Sequence, residues 1–206
     1  MARTALQPAD IAATRARLTA AATRLFARHG FEAVTMRAVA AELGVSAMTP
    51  YRYLAGKDEL WAMVRADAFA RFAQHLDGSR AGGGGAVGRL RRLKAAYLAF
   101  ALAHPDQYRV MFELTAPVAD ARWPALEAAS RRAFGCLLDA VTAGIAAGDL
   151  VGEPRDVAQL LWAQTHGLVS LHLAGQLSAR ALERLGRVDH ELAGFRPVAA
   201  RPRSRT

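Results

Sequence analysis

The side chains able to do covalent chemistry are few, and their spacing does not suit it. The six histidines fall at 29, 75, 104, 166, 172 and 190, and none makes a His-x-x-x-His pair or has a carboxylate neighbour at metal-ligand spacing. His166 and His172 are six residues apart, on different faces of a helix. No nucleophile motif surrounds Ser170 or Cys136. The four consecutive glycines within residues 77–88 lack the lysine and hydroxyl of a phosphate-cradling loop, and no strand precedes them. No enzyme, metal site or cofactor is expected from these residues. Guanidinium is what the chain concentrates. Of the net charge of +9, residues 1–57 carry eight basic against three acidic side chains. Residues 58–195 carry fifteen of each, and the tail from Arg196 adds four arginines and no acid. A segregated positive end is what attraction to phosphate needs. In that end, Arg37 and Arg52 can bond guanine bidentately, Met48 and Thr49 can offer apolar contact to a thymine methyl, and Ala47 has no polar reach.

Two short helices joined by a tight turn would have to position these groups. Met36, Val39, Ala40 and Leu43 recur at i, i+3, i+4 and i+7, and Gly44 follows where a left-handed closing residue is needed. Val45 then precedes Ser46, whose hydroxyl can cap a second helix through Ala47, Met48, Thr49, Pro50, Tyr51, Arg52 and Tyr53. Pro50 lies close enough to Ser46 to be read as part of the first turn, where backbone N–H groups have no helical partner. Upstream, Leu18, Ala22, Leu25, Phe26 and His29 mark one face of a helix from about Asp10 to His29, ended by Gly30. The expected core of this three-helix unit is Leu18, Ala22, Leu25, Phe26, Phe31, Val39, Leu43, Val45 and Leu54.

The whole chain reads as all-α, with about nine helices. Alternating Val/Ile/Thr runs are absent, and Ala, Leu and Arg dominate. The expected division is a helix-turn-helix domain at 1–56, a larger helical domain at 57–195 and a basic, disordered tail at 196–206. Further helices are expected from Lys57 to about Leu76, over 89–103, through Tyr108 to Leu114, from Trp123-Pro124 to about Ala147, over 155–176, and from Ser178 through Val188 to Leu192. Residues 77–88 read as a flexible connector. The single cysteine and an N-terminus without an apolar signal region point to a reducing cytoplasm. The most apolar stretch, Leu160 to Leu177, is interrupted by Gln164, His166 and His172 and reads as a buried helix.

At Ala22-x-x-Leu25-Phe26, His29-Gly30-Phe31, Thr35, Val39-Ala40, Leu43-Gly44-Val45-Ser46, Thr49, Tyr51-x-Tyr53 and Lys57-x-Glu59-Leu60, the sequence resembles the DNA-binding domain of the tetracycline-repressor (TetR) family of transcriptional regulators. Farther on, His104-Pro105 with Tyr108, Met111 and Phe112, and Trp162, His166 and Gly167, resemble the family's Trp-His-Gly subgroup of sensor domains. The resemblance implies a cytoplasmic homodimer, most often a repressor, released from a palindromic double-stranded DNA operator by a small-molecule effector. It also implies that Thr35, Tyr51, Tyr53 and Lys57 hold phosphates, and that Arg37, Ala47, Met48, Thr49 and Arg52 face base edges.

In the sensing half, Trp162, His166, Val169 and Leu173 share one helix face. Ala163, Gly167, Ser170 and Ala174 form a second stripe of small residues that lets another helix approach closely. The second stripe, with Leu185 of the last helix, is the expected dimer interface, and the Trp162 face is expected to point inward. An inward cluster of Tyr97, Phe100, Tyr108, Met111, Phe112, Phe134, Trp162 and His166 would line a cavity for an apolar or aromatic molecule, as the resemblance implies. His166 and a tyrosine hydroxyl would orient that molecule. The alternative is a constitutive architectural DNA binder that uses its basic ends and senses nothing.

Overall fold

A computed structural model describes residues 8–79, 81–112 and 122–187; the expected positions Val188 and Leu192, Leu114 and the basic tail lie outside them. Among the described residues there are eight α-helices and no strand. They are α1 (Pro8–Ala33), α2 (Met36–Glu42), α3 (Lys57–Gly78), α4 (Gly85–Ala103), α5 (Pro105–Phe112), α6 (Pro124–Ala146), α7 (Pro154–Leu173) and α8 (Ala179–Gly186). A 3-10 turn, Pro50–Arg52, stands between α2 and α3.

That turn corrects the expected second helix over 47–53. With Ser46 as the cap, Pro50 occupies the first position whose N–H would bond back four residues, to the Ser46 carbonyl, and proline has no N–H. The chain bonds three back instead, from Thr49 N–H to Ser46 O at 2.8 Å, Arg52 N–H to Thr49 O at 3.1 Å and Tyr53 N–H to Pro50 O at 3.0 Å. Ser46 Oγ accepts a long bond of 3.4 Å from Met48 N–H. Proline one residue earlier would have been harmless; here it tightens the element into 3-10 geometry.

The described residues pack into two compact units, one of those up to 70 together with those of 106–130, the other of those of 71–105 together with those from 131 to 187. In the first, Leu18, Ala22, Phe26, Phe31, Val39 and Leu54 are buried as expected, while Leu25, Leu43 and Val45 are half-buried. Its centre is Trp61 of α3, which meets Phe26 edge-on at 4.9 Å and Phe31 at 5.5 Å. Gly30, at φ 75°, kinks α1 so that Phe31 can turn under it, and Gly44, at φ 66°, ends the turn after α2; both conformations favour glycine. α5 packs in this unit too, with Phe112 edge-on to Phe69 at 5.4 Å and the Arg65 guanidinium donating to Met111 O at 3.2 Å.

The second unit is built on α4, α6, α7 and α8, with Leu90, Leu93, Ala140, Val141, Leu161, Val169 and Leu182 buried. The residues expected to form a flexible connector are more ordered than that. α3 continues to Gly78, α4 starts at Gly85, and the glycines between are held by one side chain. Arg92 donates to Ser79 O at 3.2 Å, Gly82 O at 3.1 Å and Gly83 O at 2.6 Å. Asp149 Oδ2 accepts from Ala86 N–H at 3.3 Å, satisfying a free donor in the first turn of α4.

Candidate functional site

Thr35 is the N-cap of α2, its Oγ1 accepting from Ala38 N–H at 3.1 Å. The same hydroxyl keeps its proton for a further acceptor. Arg37, two residues on, is exposed, as are Ala47, Met48, Tyr51 and Arg52; Met48 is 67% exposed and Tyr51 50%. Thr49 and Tyr53 are half-buried, and Pro50 is buried beneath them. The 3-10 turn thus presents Met48, Tyr51 and Arg52 outward on a buried proline foot.

Lys57 does something the sequence did not indicate. Its Nζ donates to Phe31 O at 3.0 Å and Glu32 O at 3.3 Å and lies 4.2 Å from the centroid of the Phe31 ring. Two of its three donors therefore cap the carbonyl end of α1, which leaves one for a further acceptor. Glu59, two residues on, accepts from Ala55 N–H at 2.6 Å and from Arg15 Nη2 at 2.8 Å. Together these contacts tie the start of α3 to α1 and to the strand of chain leaving the 3-10 turn. Of the basic side chains described in this end, Arg15, Arg24 and Lys57 are engaged within the fold. Arg17, Arg28, Arg37 and Arg52 have no side-chain partner among the described residues.

In the second unit the inward face of α7 is Val157, Leu161, Thr165 and Val169. Of the face expected to point inward, Val169 is buried and His166 and Leu173 are half-buried, whereas Trp162, 36% exposed, stands at its edge. The two stripes are adjacent on a helix that is apolar nearly all round, so spacing alone could not choose between them. Trp162 still meets His166 (5.9 Å) and Phe134 (6.2 Å). The Tyr97 hydroxyl lies 3.5 Å from His166 Nδ1, and Ser170 Oγ lies 3.4 Å from Nε2, both long contacts. Beside them is a cavity of about 40 Å³ lined by Leu76, Leu90, Leu93, Tyr97, Leu161 and Trp162, among others. That space holds about one water molecule.

The expected aromatic cluster is divided. Tyr97, Phe134, Trp162 and His166 come together in the second unit, and Phe100 joins through Phe72, which meets Tyr97 at 5.0 Å and Phe100 at 5.1 Å. Tyr108, Met111 and Phe112 belong to the first unit, where Tyr108 and Phe112 pack at 5.0 Å. Of the expected interface residues, Ala163 and Ala174 are exposed and Gly167, Ser170 and Leu185 half-buried.

Residues 90–195 match the family model described as the tetracyclin repressor-like C-terminal domain, half of the chain. Residues 18–64 match that of the bacterial regulatory proteins of the tetR family. The chain belongs to the tetR family. Its relatives include the HTH-type transcriptional regulator Rv1816 of Mycobacterium tuberculosis, 26% identical over 182 residues that cover 75% of this chain and 78% of that one. The fold is shared with a TetR family transcription regulator from Marinobacter aquaeolei, with a TM-score of 0.68, 23% identity, and 84% and 91% of the two chains covered. It is shared as well with the fatty acid degradation regulator FadR from Bacillus halodurans, with a TM-score of 0.71, 14% identity, and 84% and 93% covered. The chain is thus a TetR-family helix-turn-helix transcriptional regulator with a C-terminal ligand-binding domain. No helix among its described residues is long and apolar enough to cross a membrane.

Proposed function

We propose that this TetR-family chain is a cytoplasmic homodimeric repressor that leaves a palindromic operator when a small apolar or aromatic effector binds. Support for the DNA half comes from the outward set Thr35, Arg37, Ala47, Met48, Thr49, Tyr51, Arg52 and Tyr53. Arg37 and Arg52 have free guanidinium groups for guanine, Met48 offers thymine a methyl contact, and the hydroxyls of Thr35, Tyr51 and Tyr53 suit phosphate oxygens. Lys57 serves by holding α3 against α1, so that these side chains keep their spacing. An element this short reads only a few base pairs, and two copies on two half-sites about one helical turn apart supply useful specificity.

The observation that carries the dimer is the outer face of α7. Leu160 and Leu171 are each 50% exposed, Ala163 and Ala174 are exposed, and a Cβ added at Gly167 would meet no atom within 4 Å. An apolar helix face with a glycine notch suits a second helix from another copy, with Leu185 of α8 beside it. Placing a bulky residue in the notch tests this. Gly167→Leu should leave the fold of the single chain intact, because nothing within it is struck, and should turn the dimer into monomers by sedimentation. A variant that stays dimeric removes the stripe from the interface.

For the effector, Trp162 and Tyr97 line the small apolar cavity and His166 lies 3.5 Å from the Tyr97 hydroxyl, a pairing that suits an apolar group beside one hydrogen-bonding group; an effector with a larger body would have to widen this space. Trp162, His166 and Gly167 succeed one another within one helix of the C-terminal domain, and on this motif we place the chain in the Trp-His-Gly subgroup. By linkage, an effector that favours a conformation with badly spaced recognition elements weakens DNA binding by the factor with which DNA weakens its own binding.

A further inference from the structure

We propose that Arg28, on the outward face of α1, is a phosphate contact that carries the DNA-binding surface beyond the helix-turn-helix. α1 buries Leu18, Ala22 and Phe26 and exposes Arg17, Arg24 and Arg28, which recur at i, i+7 and i+11 down one stripe that also holds the small, buried Ala21. One bond locates that face. Arg24 Nη2 meets Glu42 Oε1, at the C-terminal end of α2, at 3.1 Å. Because residues 34 and 35 join the two helices, α2 runs back along α1 from that link to Arg24. Arg28, one turn from Arg24 toward the link, is thereby placed on the side of the start of α2, with its cap Thr35 and its first-turn Arg37.

Charge then decides what this face would meet. Arg24 is compensated by Glu42, whereas Arg28 is exposed and has no side-chain partner among the described residues. The acid nearest in sequence, Glu32, would be one turn on, but Gly30 at φ 75° breaks the helical register between them and no ion pair joins them. An uncompensated guanidinium beside the α2 start is complementary to the backbone of the duplex that the helix-turn-helix engages. It belongs to α1 and not to the recognition turn, so its contact would add affinity without reading sequence. Two donors of Lys57 are taken by carbonyls, and Arg28 would add a cation for the backbone beside whatever the third donor of Lys57 reaches.

The test measures the salt dependence of binding by the full chain to an operator duplex and to a random duplex, each of about 30 base pairs, between about 50 and 200 mM salt. Arg28→Gln should reduce the slope of log affinity against log salt by about 0.9 for each bound chain, about 1.8 for a bound dimer. Affinity should fall by the same factor on both duplexes, and Arg28→Lys should restore most of it. Melting of both variants should match the parent, which separates a lost contact from a damaged fold. A reduction of about 0.9 with the Lys rescue supports the contact and speaks against the dimer reading on which the larger value rests. An unchanged slope for Arg28→Gln, or a loss confined to the operator duplex, overturns the proposal.

Discussion

Lys57→Met tests most sharply how the DNA-binding unit is held together. The substitution keeps the aliphatic stem over Phe31 and removes the charge. The bond to Glu32 O is exposed, and water replaces it at little cost. The part-buried bond to Phe31 O is worth about 1.5 kcal/mol as a hydrogen bond from a charged donor. The ammonium 4.2 Å from the Phe31 ring adds about 0.5 kcal/mol at a half-exposed site. The expected loss is about 2 kcal/mol, which for a chain of this size lowers the melting temperature by about 4–8 °C. DNA affinity should fall only as far as the fold loosens, and the salt slope should stay far from the roughly 0.9 per chain that a lost phosphate contact removes. Calorimetric melting and a salt titration on one preparation measure both. If melting is unchanged while the slope drops by a full contact, Lys57 is a phosphate ligand and the strut assignment is wrong.

Two further outcomes follow from the second unit. At Gly144 an added Cβ would lie 2.8 Å from Ala86 Cβ and 2.8 Å from Leu150 Cδ1, so Gly144→Ala should cost about 1–3 kcal/mol in urea unfolding, the range for overpacking. Arg92→Met removes three carbonyl contacts from residues 79–83, and amide hydrogen exchange there should speed up strongly while exchange in α7 is unaffected; unchanged exchange would show that the loop holds itself.

Much of the fold was legible because its punctuation is local. Gly30 and Gly44 take the left-handed conformations their positions asked for, Pro124 opens α6, and Ser178 caps α8 with Oγ accepting from Ala181 N–H at 3.2 Å. What escaped depended on a count of one residue or on partners distant in the chain. Pro50 was read as lying in a tolerated first turn, yet it falls on the first N–H that an α-helix must use. The glycines of the connector have no local preference, and what orders them is Arg92, about two turns into the next helix. The ammonium of Lys57 finds carbonyls 25 and 26 residues away, which no spacing rule reaches. The inward face of α7 was ambiguous because apolar residues surround the helix, and only packing against α4 and α8 selects Leu161 over Trp162. The helix-turn-helix was easier to read than the sensor because it is one continuous, strongly patterned stretch.

The central claim is that two copies of this chain read one symmetric DNA sequence through Arg37, the 3-10 turn and its flanks. The most direct measurement is selection of bound duplexes from a random pool with the full-length protein, followed by affinities for the selected and a scrambled duplex at about 150 mM salt. The selected sites should share two inverted half-sites with centres about 10 base pairs apart or a multiple of that, bound at least about a thousandfold tighter than the scrambled duplex. Equal affinity for the two duplexes, with a steep salt dependence on both, would instead identify a binder of DNA backbone that reads no sequence and contradict the account.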